Sequence, residues 1–171
     1  MYRNLILTLI GEDRPGIVDS VSDAVLQGSG NWLESRMLRL AGRFTGILHI
    51  EIAADKLPAL QESLQSLSRD NLDIRMEVVD GPAQAPGRTA RLTLTCNDRK
   101  GIVKEITHTI AGFGINIEEI ITDCISAPMT GDPLFQGTAV LRLDTTVDAD
   151  RFRNKLEGLS EDIQVDLIFD P

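Results

Sequence analysis

The sequence predicts an α+β fold built from two tandem βαββαβ units, each an antiparallel four-stranded sheet with two helices on one face. Three observations carry this reading. The octapeptide GEDRPGIV at residues 11–18 returns as CNDRKGIV at 96–103, an offset of 85 in a chain of 171 residues. Apolar residues around both copies switch between a period of two and a period of 3.6, the signatures of strand and helix. Turn residues bound the periodic segments.

The repetition extends beyond the octapeptide. Leu7 and Leu9 fall on Leu92 and Leu94, and Ile17, Val18 and Val21 fall on Ile102, Val103 and Ile106. Gly30-Asn31 falls on Ile115-Asn116. Past that point the offset becomes 91: Phe44-Thr45-Gly46 meets Phe135-Gln136-Gly137, and Ile50 and Ile52 meet Leu141 and Leu143. The extra residues of the second copy lie within 126–134, beside Pro128, Gly131 and Pro133, and an insertion of that composition belongs in a loop.

Each element follows in order. Leu5–Ile10 and Arg91–Cys96 alternate in the manner of strands and stop at turn signals. Ile17, Val18, Val21, Ala24 and Val25 have helical spacing, as do Ile102, Val103, Ile106, Ile110 and Phe113. Pro15 suits a first helical turn, where a missing N–H costs little. Gly28 and Gly30 should end one helix, and Gly112 and Gly114 the other. Strand pairs follow at about 32–40 with 44–52 and about 116–126 with 135–143, with Gly42 at the first turn. Leu57, Leu60, Leu64 and Leu67 form one helical stripe; Phe152, Leu156 and Leu159 form another. Closing strands are expected at 74–79 and 163–169. The organisation is therefore a first domain at 1–80, a Gly/Pro-rich linker at 81–88 and a second domain at 89–171.

A βαββαβ unit leaves one sheet face without helices. If Leu5, Leu7 and Leu9 point to the helices, Ile6 and Ile10 lie on that bare face. Its apolar residues call for cover by the other copy or by a second chain, so a homodimer is an expectation.

Composition narrows the function. The formal charge is −9, from 26 acids against 17 bases, which argues against direct binding to DNA or RNA, where phosphates need a basic face. The opening apolar run is too short to span a membrane and lacks a cleavage site, so a cytoplasmic protein with no membrane role is expected. Cys96 and Cys124 are the only cysteines and make no CxxC pair, which fits reduced thiols. His49 and His108 have no metal-ligand spacing with them, so no metal or other cofactor is implied. No nucleophile elbow, phosphate-binding loop or dinucleotide fingerprint appears, so no catalytic residue is assigned. Arg36, Arg39 and Arg43 read as the solvated residues of one hairpin. Trp32 is open to either a core or an interface role.

A strand, then Asp-Arg-Pro-Gly-Ile-Val opening a helix, then Gly-x-Asn opening the next strand resembles the ACT domain, a ferredoxin-like module. The resemblance covers both copies. The paired layout, with GEDRPGIVDSV and NWLESRMLRLAGRFTGILHIEI, resembles the glycine cleavage system transcriptional repressor family. The resemblance implies two ACT domains, no DNA-binding domain, no enzymatic activity, a small amino acid (glycine) as ligand, and a separate DNA-binding activator as protein partner. It also implies sites at the loop after the first strand and at the Asn opening the second, often across an interface between two domains. Here those positions are Asp13 and Asn31, and Asp98 and Asn116, with Gly16 and Gly101 in the loops. The rival readings are an interaction module without ligand and a regulator of a metabolic enzyme.

The chemistry of these residues suits a zwitterion. A helix N-terminus offers unpaired N–H groups to a carboxylate. Asp13 or Asp98 faces an ammonium group, Gly16 or Gly101 permits close approach, and Asn31 or Asn116 supplies donor and acceptor. A plainer reading stands beside this one. Asp13 and Asp98 cap their helices, the glycines allow tight strand–helix packing, and the asparagines hold a left-handed turn before the strand.

Overall fold

Leu5, Leu7 and Leu9 organise the first unit. Strand β1 (Tyr2–Glu12) turns these three to one side, where all are buried. It pairs antiparallel with β3 (Arg43–Ala53) on one edge and β4 (Leu72–Val79) on the other. Strand β2 (Asn31–Leu40) lies outside β3, which gives the order β2-β3-β1-β4. Helices α1 (Ile17–Gln27) and α2 (Leu57–Ser68) bring Ile17, Val21, Val25, Leu60 and Leu64 onto the leucine row. A 3-10 turn, Ala54–Lys56, leads into α2. In the computed structural model the described residues are 1–68, 71–79, 86–128 and 130–170.

The second unit repeats this plan. Strand β5 (Arg88–Asn97) buries Ala90, Leu92, Leu94 and Cys96 between β7 (Pro133–Leu143) and β8 (Gln164–Phe169). Strand β6 (Asn116–Ser126) pairs outside β7, so the order is β6-β7-β5-β8. Helices α3 (Ile102–Gly112) and α4 (Ala149–Glu157) cover one face, with Ile106, Ile110, Phe152 and Leu156 in the core. The chain divides into two compact units, Met1–Ala83 and Gln84–Pro171. Of the expected linker, residues 81–85 lie outside the described residues, and Arg88 already belongs to β5.

The fold is the α+β arrangement expected, with local differences. Helix α1 starts at Ile17, so Pro15 lies in the preceding turn and not in the helix. Val18 and Val103 are exposed, because each sits one residue off the buried stripe. The left-handed residue after α1 is Ser29 (φ 59°), while its counterpart after α3 is Gly114 (φ 69°). The β2–β3 turn uses positive φ at both Ala41 and Gly42, which matches the twist of a two-residue hairpin. The insertion lengthens the second hairpin: the ladder runs on to Ser126 opposite Pro133 before the loop. Each outer strand also carries a register shift at the same place, between Trp32 and Glu34 and between Ile117 and Glu119.

Two glycines make the helix packing testable. A Cβ at Gly28 would stand 2.8 Å from Leu60 Cβ and 2.9 Å from Leu60 Cα, so α1 ends hard against the α2 backbone. The second unit has Phe113 at this position, and its ring meets Phe152 edge-on at 5.3 Å. Gly28→Ala should therefore destabilise the first unit by about 1–3 kcal/mol through overpacking. Gly112, the last residue of α3 with nothing within 4 Å of a built Cβ, is the control: Gly112→Ala should leave stability unchanged or slightly raised. Urea denaturation followed by circular dichroism reads both.

Candidate functional site

The two loops that open α1 and α3 share one backbone design. Gly16 and Gly101 are the N-cap residues, with φ of 88° and 94°. Their carbonyls accept from the N–H groups of Ser20 (2.9 Å) and Glu105 (3.1 Å). A side chain at Gly16 would meet nothing within 4 Å, and one at Gly101 only Glu105 Oε1 at 3.9 Å. Glycine is required here by its left-handed φ and not by close packing. Neither helix has a side-chain cap. The expected capping by Asp13 and Asp98 is therefore corrected: both lie three residues before the N-cap and turn elsewhere.

Where they turn differs between the units. Asp13 Oδ2 accepts from Arg39 Nε at 2.7 Å, and the Asp13 N–H donates to the Gly42 carbonyl at 3.2 Å. Arg39 is thus part of the loop's surroundings, although the sequence placed it on a solvated hairpin. It comes from the helix-side row of β2, opposite Phe44. At the matching place on β6, opposite Phe135, stands Cys124, whose thiol titrates under the influence of the Asp98 carboxylate. Hydrogen bonding to that carboxylate is the largest cause holding the Cys124 thiol above its ordinary pKa, because a carboxylate acceptor favours the protonated thiol. The Asp98 N–H donates to the Pro133 carbonyl at 2.9 Å. The adjacent Arg99 turns to Glu105, with contacts of 2.7 and 2.5 Å, which lowers the Glu105 pKa. Among the described residues no cation pairs with Asp98.

Asn31 and Asn116 are exposed first residues of β2 and β6. Neither has a positive φ; the left-handed turn before each strand belongs to Ser29 and Gly114, so the turn-holding role is corrected. Each Asn follows the C-terminus of its helix, whereas the Asp and Gly precede the N-terminus. An 11-residue helix separates them by about 16 Å. Within one unit the fold brings Asp13 to Gly16 and Asp98 to Gly101, and leaves Asn31 and Asn116 at the far end.

The remaining candidates are placed simply. His49 Nε2 lies 2.9 Å from Asn4 Oδ1 across the bare face of the first sheet. Trp32 is half-buried and packs against the first core. Burial is the first cause raising the pKa of Cys96, followed by the Asp162 charge. Among the described residues no group of three or more His, Cys, Asp or Glu side chains could hold a metal ion, and no helix is long and apolar enough to cross a membrane.

Residues 3–79 match the model of the ACT domain, and the second unit repeats the same strand order and helix placement. The chain has a tandem ACT fold. Two solved structures resemble it along its whole length. One, an unknown protein from Galdieria sulphuraria, is 25% identical with a TM-score of 0.87, and the match covers 100% of both chains. The other, a proposed glycine cleavage system transcriptional repressor, is 22% identical with a TM-score of 0.70, and the match covers 99% of this chain and 98% of that one. At that identity the second likeness is one of fold. No curated protein matches the chain.

Two measurements check the loop geometry. Gly16→Ala and Gly101→Ala should each cost about 1–2 kcal/mol, the penalty of a left-handed backbone with a Cβ, despite the open space around them. Alkylation tests the Asp98–Cys124 bond. With Cys96 buried, iodoacetamide should modify Cys124 slowly below its raised pKa, and Asp98→Asn should speed the reaction. An unchanged rate would mean that the thiol does not donate to Asp98.

Proposed function

We propose that this chain is a non-enzymatic, cytoplasmic regulator that binds a small amino acid, glycine by likeness, and represses the glycine cleavage system. It acts by contacting a DNA-binding activator and not DNA itself. The domains are those read from the sequence, 1–80 and 89–171, with Arg88 joining the second. The observation that supports this most is the duplicated loop: a glycine N-cap at positive φ and a helix start without a side-chain cap, on a tandem ACT fold. Backbone N–H groups there donate to a carboxylate, and Asp98 offers a charge to the ammonium. Asn31 and Asn116 stand too far along their own helices to join the same small ligand. They contribute from a second copy of the chain, in a homodimer.

The ligand works by favouring one conformation or one complex. A tenfold shift requires about 1.4 kcal/mol of differential affinity, well within the reach of one charge-assisted pair. One observation favours a second reading for the first unit. The Asp13–Arg39 pair satisfies the carboxylate from within, as in an interaction module that takes no ligand.

Thermal unfolding of the purified chain with each of the twenty amino acids tests the proposal. Glycine at about a hundred times its dissociation constant should add about 2.7 kcal/mol of stability. Asp98→Asn should weaken that effect while leaving the melting temperature of the free protein nearly unchanged. If no amino acid shifts the transition, the interaction-module reading replaces this one. In gel retardation at physiological salt the chain alone should not shift DNA. Sequence-specific retardation without an added activator would overturn the indirect mechanism.

A further inference from the structure

The outer surfaces of the two helix layers carry opposite charge at equivalent places. The repeat offset of 85 lays Asp19 and Asp23 of α1 on Lys104 and His108 of α3. All four are exposed, and among the described residues none of them forms an ion pair. The second helix of each unit differs in the same sense. With the buried Leu60 and Leu64 of α2 laid on the buried Phe152 and Leu156 of α4, Ala59 and Ser63 fall on Arg151 and Lys155, both exposed. Helices α1 and α2 contain no Lys or Arg. The acids of α3 and α4 are engaged or terminal: Glu105 pairs with Arg99, and Asp150 and Glu157 lie in the first and last turns of α4.

Shape follows charge. The small side chains of the first unit leave an open groove of about 560 Å³ between α1 and α2, lined by Ser20, Asp23, Ala59, Glu62, Ser63 and Ser66 among others. The hydroxyls of Ser20, Ser63 and Ser66 donate to carbonyls of their own helices at 2.9, 3.1 and 2.6 Å. A hydroxyl whose hydrogen is already engaged offers only its lone pairs to a visitor. These three oxygens and the carboxylates of Asp23 and Glu62 therefore present acceptors to the groove. Long cationic donors suit it, and the matching surface of the second unit presents two, Arg151 and Lys155.

We infer that the α1–α2 surface of one chain docks on the α3–α4 surface of a second copy, whose Arg151 and Lys155 enter the acidic groove. The two surfaces are reciprocal, so two chains related by a twofold axis make the contact twice and close as a dimer. Like surfaces repel, which sets the pairing as first unit on second and not like on like. The regulatory reading above leaves the contact surface of its homodimer open; this inference supplies it and rests on that reading for nothing but a second copy.

Sedimentation velocity on the purified chain tests it. At physiological salt the wild type should be a dimer. Its dissociation constant should rise about tenfold in about 1 M salt, where the screening length falls to about 3 Å. Asp23→Lys with Glu62→Lys leaves both helix layers basic, and Arg151→Glu with Lys155→Glu leaves both acidic. Each double variant alone should associate about a hundredfold more weakly than the wild type. Mixed in equal amounts, the two should form a heterodimer, since each offers the charge that the other lacks. Circular dichroism checks that both fold; should either fail, the salt dependence of the wild type decides. A monomeric wild type, a dimer indifferent to salt, or folded variants that self-associate as before would overturn the inference. So would folded variants that stay apart when mixed. A monomer whose melting temperature glycine raises would overturn it while leaving amino-acid sensing intact.

Discussion

Each unit depends on one strand that is hydrogen-bonded along both edges and buried on one face. Strand β1 and its counterpart β5 are the central strands, and their backbone groups are taken up by neighbours on either side. Period-two alternation then decides which side chains leave water. Leu5, Leu7 and Leu9, or Leu92 and Leu94, must face the helices, because the opposite register would expose them. The loops that open α1 and α3 leave the ends of these two strands. Their geometry is inherited from the most constrained part of the molecule, which is what a preorganised binding loop needs.

The same scaffold supports two different linings. Gly28 against Leu60 brings α1 and α2 backbone to backbone, whereas the Phe113–Phe152 pair fills that place in the second unit. Gly11 admits the Asn71 carbonyl and Leu72, where the second unit buries the side chain of Cys96. Both exchanges keep the core filled with different side chains. Over Gly46 and Gly137 the covering side chains differ as well: Met37 lies on the first and the Phe135 ring on the second. A duplicated fold conserves its hydrogen-bond ladders and its buried rows, and differs where a side chain meets only other side chains.

Much of this was legible because periodicity and turn chemistry are local. The repeated octapeptide, the leucine alternation and the stripe of Leu57, Leu60, Leu64 and Leu67 depend on residues close in sequence. The misplaced features depend on residues far apart. Asp13 looks like a cap from its position before a helix; that it pairs with Arg39 follows from how the β2–β3 hairpin folds back beside the loop. Asn31 and Asn116 share an 18-residue spacing with Asp13 and Asp98, but the spacing spans a whole 11-residue helix and carries each Asn away from its loop. The true cap of α4, Asp148, accepts from the Arg151 N–H at 3.0 Å. It was readable as an Asp just before a helical run.

The placement of the aromatic side chains has an optical consequence. The single tryptophan, Trp32, and the single tyrosine, Tyr2, both fall in the first unit, and the second carries only phenylalanines. Absorbance at 280 nm and intrinsic emission therefore come entirely from the first half of the chain. A melting curve read from tryptophan emission reports that half alone. Events at Asp98 and Cys124 belong to a spectroscopically silent half, visible to heat, to backbone dichroism or to an introduced fluorophore.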